Sequence, residues 1–479
     1  MPRASRQAFR AGLEELMRLA GQPTLAEPVS LQVQELALPT RFMVAEGAAA
    51  ALAAGAAMAD RIAVSRGMPA SDVETASRHV EASLLSFAYL KFLDPEGSPP
   101  GRLAPEERTA AAGFHRTSDG RWVYLHPGFP HNTQGLLRLL DVSDERDAVR
   151  QAVAAWTGAG LEEAIGAAGL CGAMVRSAAQ WDASVPGRML AARPVVEIVQ
   201  LGDTPPEPLQ HSGEADGPPG RPLQDVRVLD LTRVLAGPTC ARTLAAYGAR
   251  VLRLGAPQLP SVPLFVADTG FGKRSAHLDL TRPDDAQKLR RLVRDADVFS
   301  QGYRTGAMDR LGFGVTEVAQ LRPGIVYVSI NCYGHEGPWR RRPGWEQLAQ
   351  TVTGLAHQHG EDTGADKPVL LPAAVTDYTT GYLAAFGALT ALERRARVGG
   401  TYWVRVSLAR TGVWIRSLGR RRSAAARPLE PAEIEALQEQ MDTPWGPACY
   451  LRPAVSLSAS PVRWDLPPVP LGTHPPTFD

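Results

Sequence analysis

The fold is decided by VRVLDLTRVLAGPTCARTLAAYGARVLRL, residues 226–254. Its first six residues have the length and composition of a buried strand, a Gly-Pro turn and an apolar helix follow, and a second apolar run closes the stretch. Further along, the same alternation continues with strands predicted at 276–280, 297–301 and 324–330 and helices at 284–294 and around 306–322. This spacing predicts an α/β fold built on a doubly wound parallel sheet.

Ligands of such a sheet bind at the carboxyl ends of its strands. The segments that follow the predicted strands are 232–238, 302–304 and 331–334. The first of them turns through Gly237-Pro238 into a helix, whose backbone N–H groups could hold phosphate. Neither Gly-x-Gly-x-x-Gly nor Gly-x-x-x-x-Gly-Lys occurs there, which argues against a dinucleotide fingerprint and a P-loop. A purely structural turn and a phosphate-binding turn both fit these residues.

The composition predicts a soluble globular protein of more than one domain, with 479 residues and 44% hydrophobic content. Lys plus Arg (51) balance Asp plus Glu (50), so nucleic acid and anionic membranes are not expected partners. The alanine-rich run 48–59 is too short to span a bilayer and indicates a buried helix. Four widely spaced cysteines argue against a metal site and a disulfide framework and favour a cytoplasmic location: Cys171, Cys240, Cys332 and Cys449.

The chain divides at a stretch rich in Pro, Gly and acidic residues that cannot build a core. Before it we expect helices and then a second, smaller α/β unit, and after it the large sheet. The predicted parts are a helical segment 1–105, a small α/β domain 106–201, a linker 202–222, a Rossmann-like domain 223–410 and a closing segment 411–479.

Two helical stretches on opposite sides of the linker resemble each other. Residues 44–67 and 375–399 share their length, apolar face and basic end, and Glu46 falls opposite Asp377. A chance likeness of two alanine-rich helices and a partial duplication both fit, and the duplication is preferred. Glu46 itself is expected to cap its helix, because no sheet precedes it that could hold phosphate.

Charged residues near the sheet are the first candidates for binding and chemistry. Lys273, Arg274, Arg304 and Arg310 flank predicted strands and could face one polyanionic ligand, although solvated surface charges fit equally well. Asp377 begins an apolar helix, where a carboxylate is ordinarily a cap. The helix dipole would also stabilise its anion, which nucleophilic attack on a thioester requires.

Several motifs together resemble class III CoA-transferases, the family of formyl-CoA transferase, carnitine CoA-transferase and α-methylacyl-CoA racemase. They occur in the family's order between 226 and 407: VRVLDLTRVLAGP, KRSAHLDL, GYRTGAMDRLGFG, LRPGIVYVSINCYGHEGPW, PGWEQLAQTVTGL and VTDYTTG. Residues 114–200 resemble the family's small domain, which normally follows the sheet, and 461–475 resemble its closing segment. The resemblance therefore implies a rearranged or partly duplicated chain.

The resemblance implies an acyl-CoA:carboxylate CoA-transferase in which Asp377 forms a mixed anhydride and then an aspartyl-CoA thioester. CoA or acyl-CoA would be a substrate, with no tightly bound cofactor and no metal, and the acceptor would be a carboxylic acid. A homodimer is also implied, and an intertwined dimer is one form that it could take. With Lys273 and Arg274 added from their charge, the expected CoA contacts are Val234, Leu235, Ala236, Leu278, Gly302, Tyr303, Arg304, Arg310, Trp345 and Glu346.

Two alternatives stay open. A 2-methylacyl-CoA racemase or epimerase needs a second acid/base opposite Asp377, but the chain has Trp345-Glu346 where racemases of this family have a His-Asp pair. A catalytically silent CoA-binding homologue is the other, and the retained Asp377 argues against it. The Gly-rich loop that shields the intermediate in some family members has no counterpart after residue 407, and the acyl donor is not identified.

Overall fold

The computed structural model describes residues 2–22, 28–94, 109–209 and 220–478. Its helices are α1 (Pro2–Leu19), α2 (Val44–Ser65), α3 (Ser77–Ser83), α4 (Ser86–Tyr89), α5 (Pro130–Leu140), α6 (Arg146–Ala154), α7 (Gly158–Ala167), α8 (Ala178–Ala183), α9 (Val185–Ala191), α10 (Ala236–Ala246), α11 (Pro263–Gly270), α12 (Pro283–Arg294), α13 (Ala307–Arg310), α14 (Val315–Leu321), α15 (Glu346–Val352), α16 (Leu355–Thr363), α17 (Val375–Val398), α18 (Leu408–Ser417) and α19 (Pro431–Leu437). Its strands are β1 (Val29–Gln32), β2 (Val73–Ala76), β3 (Lys91–Phe92), β4 (Gly113–Arg116), β5 (Trp122–Leu125), β6 (Gly172–Met174), β7 (Glu197–Gly202), β8 (Arg227–Leu231), β9 (Arg250–Gly255), β10 (Lys273–His277), β11 (Val298–Gln301), β12 (Val326–Asn331), β13 (Thr401–Ser407), β14 (Gln438–Thr443), β15 (Gly446–Leu451) and β16 (Ser456–Leu457).

The largest feature is a seven-stranded sheet in the order β10-β9-β8-β11-β12-β13-β7. Its first six strands run parallel, and β7 pairs antiparallel with β13 at one edge. The predicted α/β class, with a large and mostly parallel sheet, is confirmed. Because β8 and β11 are neighbours although β9 and β10 lie between them in sequence, the chain reverses its direction of travel across the sheet at this pair.

Side chains that alternate along each strand enter two different cores. On β8, Val228 belongs to the core that contains α10 and α17, whereas Leu229 belongs to the core that contains α12 and α14. On β11, Val298 and Phe299 divide in the same way. Apolar residues therefore cover both faces of the central strands, which explains their nearly continuous hydrophobic sequences.

Two expectations about the sheet need correction. The strand predicted at 276–280 spans Lys273–His277, because Lys273 pairs with Val251 and the LDL residues form the turn after the strand. The small domain predicted at 106–201 loses its last strand, β7, to the large sheet. Pairing with β7 satisfies the backbone groups along the outer side of β13, which would otherwise be an open edge.

The smaller unit has its own sheet and core. Strands β4, β5 and β6 pair antiparallel, and α5, α6 and α7 supply apolar side chains around Val123 and Leu125. Its strands and helices form the smaller α/β unit that the sequence predicts before the linker. It connects to the large sheet through α8 and α9.

Helix α2 lies against α1 and α17. It has 22 residues, more than the alanine run alone suggested, and its length and composition would allow it to cross a membrane. In the structure 89% of its most apolar 18-residue window is buried inside the protein. Small alanine side chains let α2 and α17 pack closely along their length.

The predicted linker lies partly outside the described residues, at 210–219. Its described start runs along the protein surface, where Glu207 forms an ion pair with Arg322. The closing segment runs beside the edge strand β10: the amide of His474 donates to the carbonyl of Ser275 at 2.7 Å, and that of Gly272 donates to Leu466 at 2.8 Å. These contacts cover an edge that would otherwise be exposed.

Candidate active site

A cavity of about 540 Å³ lies beside the carboxyl ends of β8, β11 and β12. This is where ligands of parallel sheets bind, and β8 and β11 are the pair at which the strand order reverses. The cavity brings together most of the sequence-predicted site residues: Val234, Leu235, Ala236, Gly302, Tyr303, Arg304, Arg310, Trp345, Glu346 and Asp377. Segments as far apart as 234 and 377 therefore meet at one place.

The turn between β8 and α10 forms one wall of the cavity. Val234 has a φ of 72°, in the left-handed region that branched residues seldom adopt. A Cβ on Gly237 would approach the Cβ of Thr232 to 2.3 Å, so only glycine fits at the start of α10. The Gly-Pro pair thus permits a tight entry into the helix and lets backbone groups of the turn face the cavity.

Asp377 lies in the first turn of α17 and is 7% exposed. The start of α17 is capped from outside by Glu346, the first residue of α15. Its carboxylate accepts hydrogen bonds from the amides of Asp377 at 2.9 Å and Thr376 at 3.1 Å, from the Thr376 hydroxyl, and from the Gln350 amide group at 2.6 Å. Glu346 therefore fixes the backbone that carries Asp377.

The two carboxyl groups differ in their surroundings. Burial raises the pKa of both. For Glu346 the hydrogen bonds from Thr376 and Gln350 oppose that rise, whereas for Asp377 the neighbouring Glu346 raises the pKa further. Glu346 is therefore the group that holds a negative charge more easily, and Asp377 is unusually basic for an aspartate. A more basic carboxylate is a stronger nucleophile once it is ionised.

Trp345 joins the large sheet to the smaller unit. Its ring stacks on His126 with centroids 4.6 Å apart and contacts the Phe129 ring at 5.2 Å. Burial lowers the pKa of His126 to about 4, so this imidazole is neutral at neutral pH. The Trp345 carbonyl lies 3.7 Å from the sulfur of Cys332, which lines the cavity.

Arg304 and Arg310 supply positive charge after β11. Both line the cavity. Within the ranges that the structure describes, neither guanidinium has a carboxylate at ion-pair distance. Arg233 lines the same cavity but is already engaged, since it lies 4.9 Å above the Phe129 ring and donates to the Pro260 carbonyl. Two uncompensated cations are suited to an anionic ligand.

Three predicted contacts are not brought to this cavity. Lys273 and Arg274 begin β10, so they lie toward the amino edge of the sheet, away from the cavity. Lys273 is 2% exposed and pairs with Asp230, and Arg274 lines a separate cavity of about 180 Å³. Leu278 lines a mainly apolar cavity of about 190 Å³ that shares Leu231, Leu259 and Tyr303 with the main one.

The smaller unit supplies cavity residues that sequence reasoning did not identify. They are Phe129, His131, Asn132 and Cys171. Asn132 is 3% exposed, and within the described residues its side-chain oxygen has no hydrogen-bond partner. No local pattern marks these positions, because they face the cavity only after the smaller unit docks against Trp345.

The echo between the two long helices extends to their backbone. The residues before α2 and α17 have nearly the same dihedral angles, φ −80° and ψ 54° at Met43 and φ −79° and ψ 59° at Ala374. Their carboxylates differ: Glu46 is 1% exposed and forms an ion pair with Arg421 at 2.5 Å, whereas Asp377 lines the cavity. Glu46 is thus a neutralised structural group. Among the described residues no group of three or more His, Cys, Asp or Glu side chains could hold a metal ion.

The family model and two curated relatives that this chain resembles are described as coenzyme A transferases. The sequence model of CoA-transferase family III matches residues 223–426. An acetyl-coenzyme A transferase from Hypoxylon pulicicidum is 33% identical over 331 residues, covering 65% of this chain and 56% of that protein. A succinyl-CoA:glutarate CoA-transferase from Mus musculus is 33% identical over 192 residues, covering 37% of this chain and 43% of that protein.

The chain spans little more than half the length of the first of these relatives. Among solved structures, a CaiB/BaiF family protein from Brucella suis is 25% identical, with a TM-score of 0.38 and coverage of 48% of this chain and 65% of that one.

Proposed function

Because the sequence model of CoA-transferase family III matches residues 223–426, we propose that this chain transfers coenzyme A from an acyl-CoA to a carboxylic acid through Asp377. The observation that carries the proposal is a buried, unusually basic aspartate at the wall of a cavity that also contains two cations, neither of which pairs with a carboxylate of the described residues. CoA enters and leaves as part of the substrates.

The proposed chemistry is a series of acyl transfers through the carboxylate of Asp377. A carboxylate oxygen of Asp377 attacks the thioester carbon, the C–S bond breaks, and CoA thiolate leaves a mixed anhydride on the enzyme. The thiolate then attacks the Asp377 carbonyl carbon, which releases the donor carboxylate and forms an aspartyl-CoA thioester. The acceptor carboxylate attacks this thioester, which releases CoA thiolate and forms a second mixed anhydride. The thiolate then attacks the carbonyl carbon of the acceptor, which gives the new acyl-CoA and frees the Asp377 carboxylate. Water must be excluded throughout, which the burial of Asp377 favours.

The placement of CoA follows from the two adjoining cavities. Arg304 and Arg310 would bind its phosphates, and the mainly apolar cavity that includes Leu278 has the size for its base. The turn at Val234 would then lie along the pantetheine arm, which leads to Asp377. The strand order supports a doubly wound, Rossmann-like sheet as the scaffold for this arrangement.

A racemase remains the second candidate because of one observation. His131, from the smaller unit, lines the same cavity as Asp377 and could serve as the second acid/base that racemisation needs. A racemase would exchange the Cα proton of a 2-methylacyl-CoA with deuterium from solvent, and His131→Ala would abolish the exchange. A transferase would instead label Asp377.

The partners in this proposal are an acyl-CoA and a carboxylic acid, and not nucleic acid or membrane, as the charge balance supports. A cytoplasmic location is also proposed, and the free thiols of all four cysteines favour it. The proposed homodimer rests on the family resemblance, and light scattering tests it.

Mass spectrometry tests the central proposal. The protein is incubated with a panel of acyl-CoAs and quenched with hydroxylamine, which converts an activated aspartate into a hydroxamate. We expect a hydroxamate at Asp377 in the wild type, none in Asp377→Ala, and an unchanged signal in the matched control Glu46→Gln. A wild type that binds CoA but is never labelled would refute the transferase and favour the racemase or a silent CoA-binding protein.

A further inference from the structure

The cavity wall at Val234 is held in an unfavourable conformation. A branched residue at a φ of 72° costs free energy and persists only where its surroundings impose it. The turn has no glycine at this position, so its backbone does not adopt the left-handed conformation by preference. Contacts from elsewhere must therefore keep the turn in place.

One buried ammonium ties both ends of this turn together. Lys273, on β10, donates to the carboxylate of Asp230 at 2.7 Å and to the carbonyl of Pro238 at 2.8 Å. Asp230 ends the strand side of the turn, where it also accepts from the amide of Thr232 at 3.1 Å and from its hydroxyl. Pro238 lies on the helix side. The ammonium thus spans the residues from 230 to 238.

The charge needed for this contact is retained at neutral pH. Burial lowers the pKa of Lys273 to about 8, and the carboxylate of Asp230 opposes that decrease. Lys273 is 2% exposed and Asp230 is completely buried, so the pair is not available to a ligand.

The same turn supports the helix that carries Asp377. A Cβ on Gly381 would lie 2.6 Å from the carbonyl oxygen of Ala236, so α17 rests directly on the turn. Gly381 is one helical turn beyond Asp377. A displaced turn would therefore change the wall that faces CoA, whereas Glu346 still holds the start of α17 through the amides of Thr376 and Asp377.

We propose that Lys273 is a positioning residue that holds the turn from Val234 to Ala236 in its CoA-binding conformation. This inference rests on the proposed function, since it assumes that the cavity binds CoA. It replaces the expectation that Lys273 contacts CoA phosphate directly. A purely structural ion pair would stabilise the fold without affecting CoA recognition, and the experiment separates the two roles.

The variants are chosen in matched pairs. Lys273→Met removes the ammonium, and its control Arg395→Met removes another buried cation, which pairs with Asp297 at 2.8 Å at the far end of α17. Thr232→Val removes only a hydroxyl that donates to Asp230, and its control Thr390→Val removes a buried hydroxyl that donates to a helix carbonyl at 2.9 Å. The threonine pair keeps the test valid if loss of either buried cation prevents folding.

Calorimetric titration with CoA and steady-state kinetics give the main result. We expect Lys273→Met to raise the Kd for CoA and the KM for acyl-CoA about tenfold, equivalent to about 1.4 kcal/mol, and Thr232→Val to raise both about threefold. In either variant, kcat and the KM for the acceptor should each change less than about threefold. Both controls should keep the wild-type Kd although Arg395→Met lowers the unfolding temperature.

Hydrogen exchange of the free protein tests, without any ligand, whether the contacts of Lys273 with Asp230 and Pro238 hold the turn. These two contacts are called the clamp below. Amides between 232 and 239 should exchange faster in Lys273→Met than in wild type. In Arg395→Met the exchange rates of the same amides should equal those of the wild type. Unchanged exchange there, or a wild-type Kd for CoA in folded Lys273→Met and Thr232→Val, would overturn the inference. If the wild type itself binds no CoA, the proposed function and this role in CoA binding both fail, and exchange shows whether the clamp exists as a purely structural one.

Discussion

Replacing Asp377 with asparagine should stabilise the protein, and the gain should grow with pH. Burial and the neighbouring Glu346 raise the pKa of Asp377 well above its ordinary value of 3.8. Between that value and the raised pKa, the folded chain keeps a proton that the unfolded chain has lost. Unfolding then releases one proton, so the stability of the wild type falls as pH rises through this window.

The magnitude follows from one proton. Each pH unit within the window costs the wild type about 1.4 kcal/mol of unfolding free energy, a cost that the uncharged Asp377→Asn does not have. Urea titrations followed by tryptophan fluorescence, in steps of one pH unit upward from about pH 4, measure the difference between the two proteins. Asp442→Asn, at an exposed position, is the control and should show no such trend. A stability difference between Asp377→Asn and wild type that is independent of pH would refute the reasoning.

Three further predictions follow from buried or crowded groups. Burial raises the pKa of Glu81 from 4.5 to about 7, so Glu81→Gln should gain up to about 3 kcal/mol over wild type as pH rises between these values, measured by the same titration. Arg304→Ala should weaken CoA binding about tenfold or more by calorimetry, and an effect that does not shrink at high salt would contradict a phosphate contact. Gly381→Ala should cost about 1–3 kcal/mol because its Cβ would press on the Ala236 carbonyl; its control Gly55→Ala, whose nearest contact is 3.8 Å, should be well tolerated in thermal melts.

Glu46 and Asp377 lie at the starts of two similar helices, but their carboxylates have different surroundings. Both helices start with the same backbone geometry, but Glu46 is neutralised by Arg421 and Asp377 faces a cavity. A helix cap and a reactive carboxylate therefore cannot be told apart from the helix start alone. The partner group and the space in front of the carboxylate separate them.

The sequence by itself determined the features that depend on local pattern. Strand and helix periodicity predicted the α/β class and the large, mostly parallel sheet. A dense series of motifs between 226 and 407 indicated the family whose sequence model matches residues 223–426. Most predicted site residues meet in one cavity because the carboxyl ends of parallel strands share an edge.

Only the tertiary structure decided which side chains face the ligand and which hold the frame. Lys273 was expected to bind phosphate, but the register of β10 on β9 places it inside the sheet, where it pairs with Asp230. Asn132 lines the cavity although more than two hundred residues separate it from Asp377. Such contacts depend on how distant elements pack, and neither periodicity nor residue type records that packing.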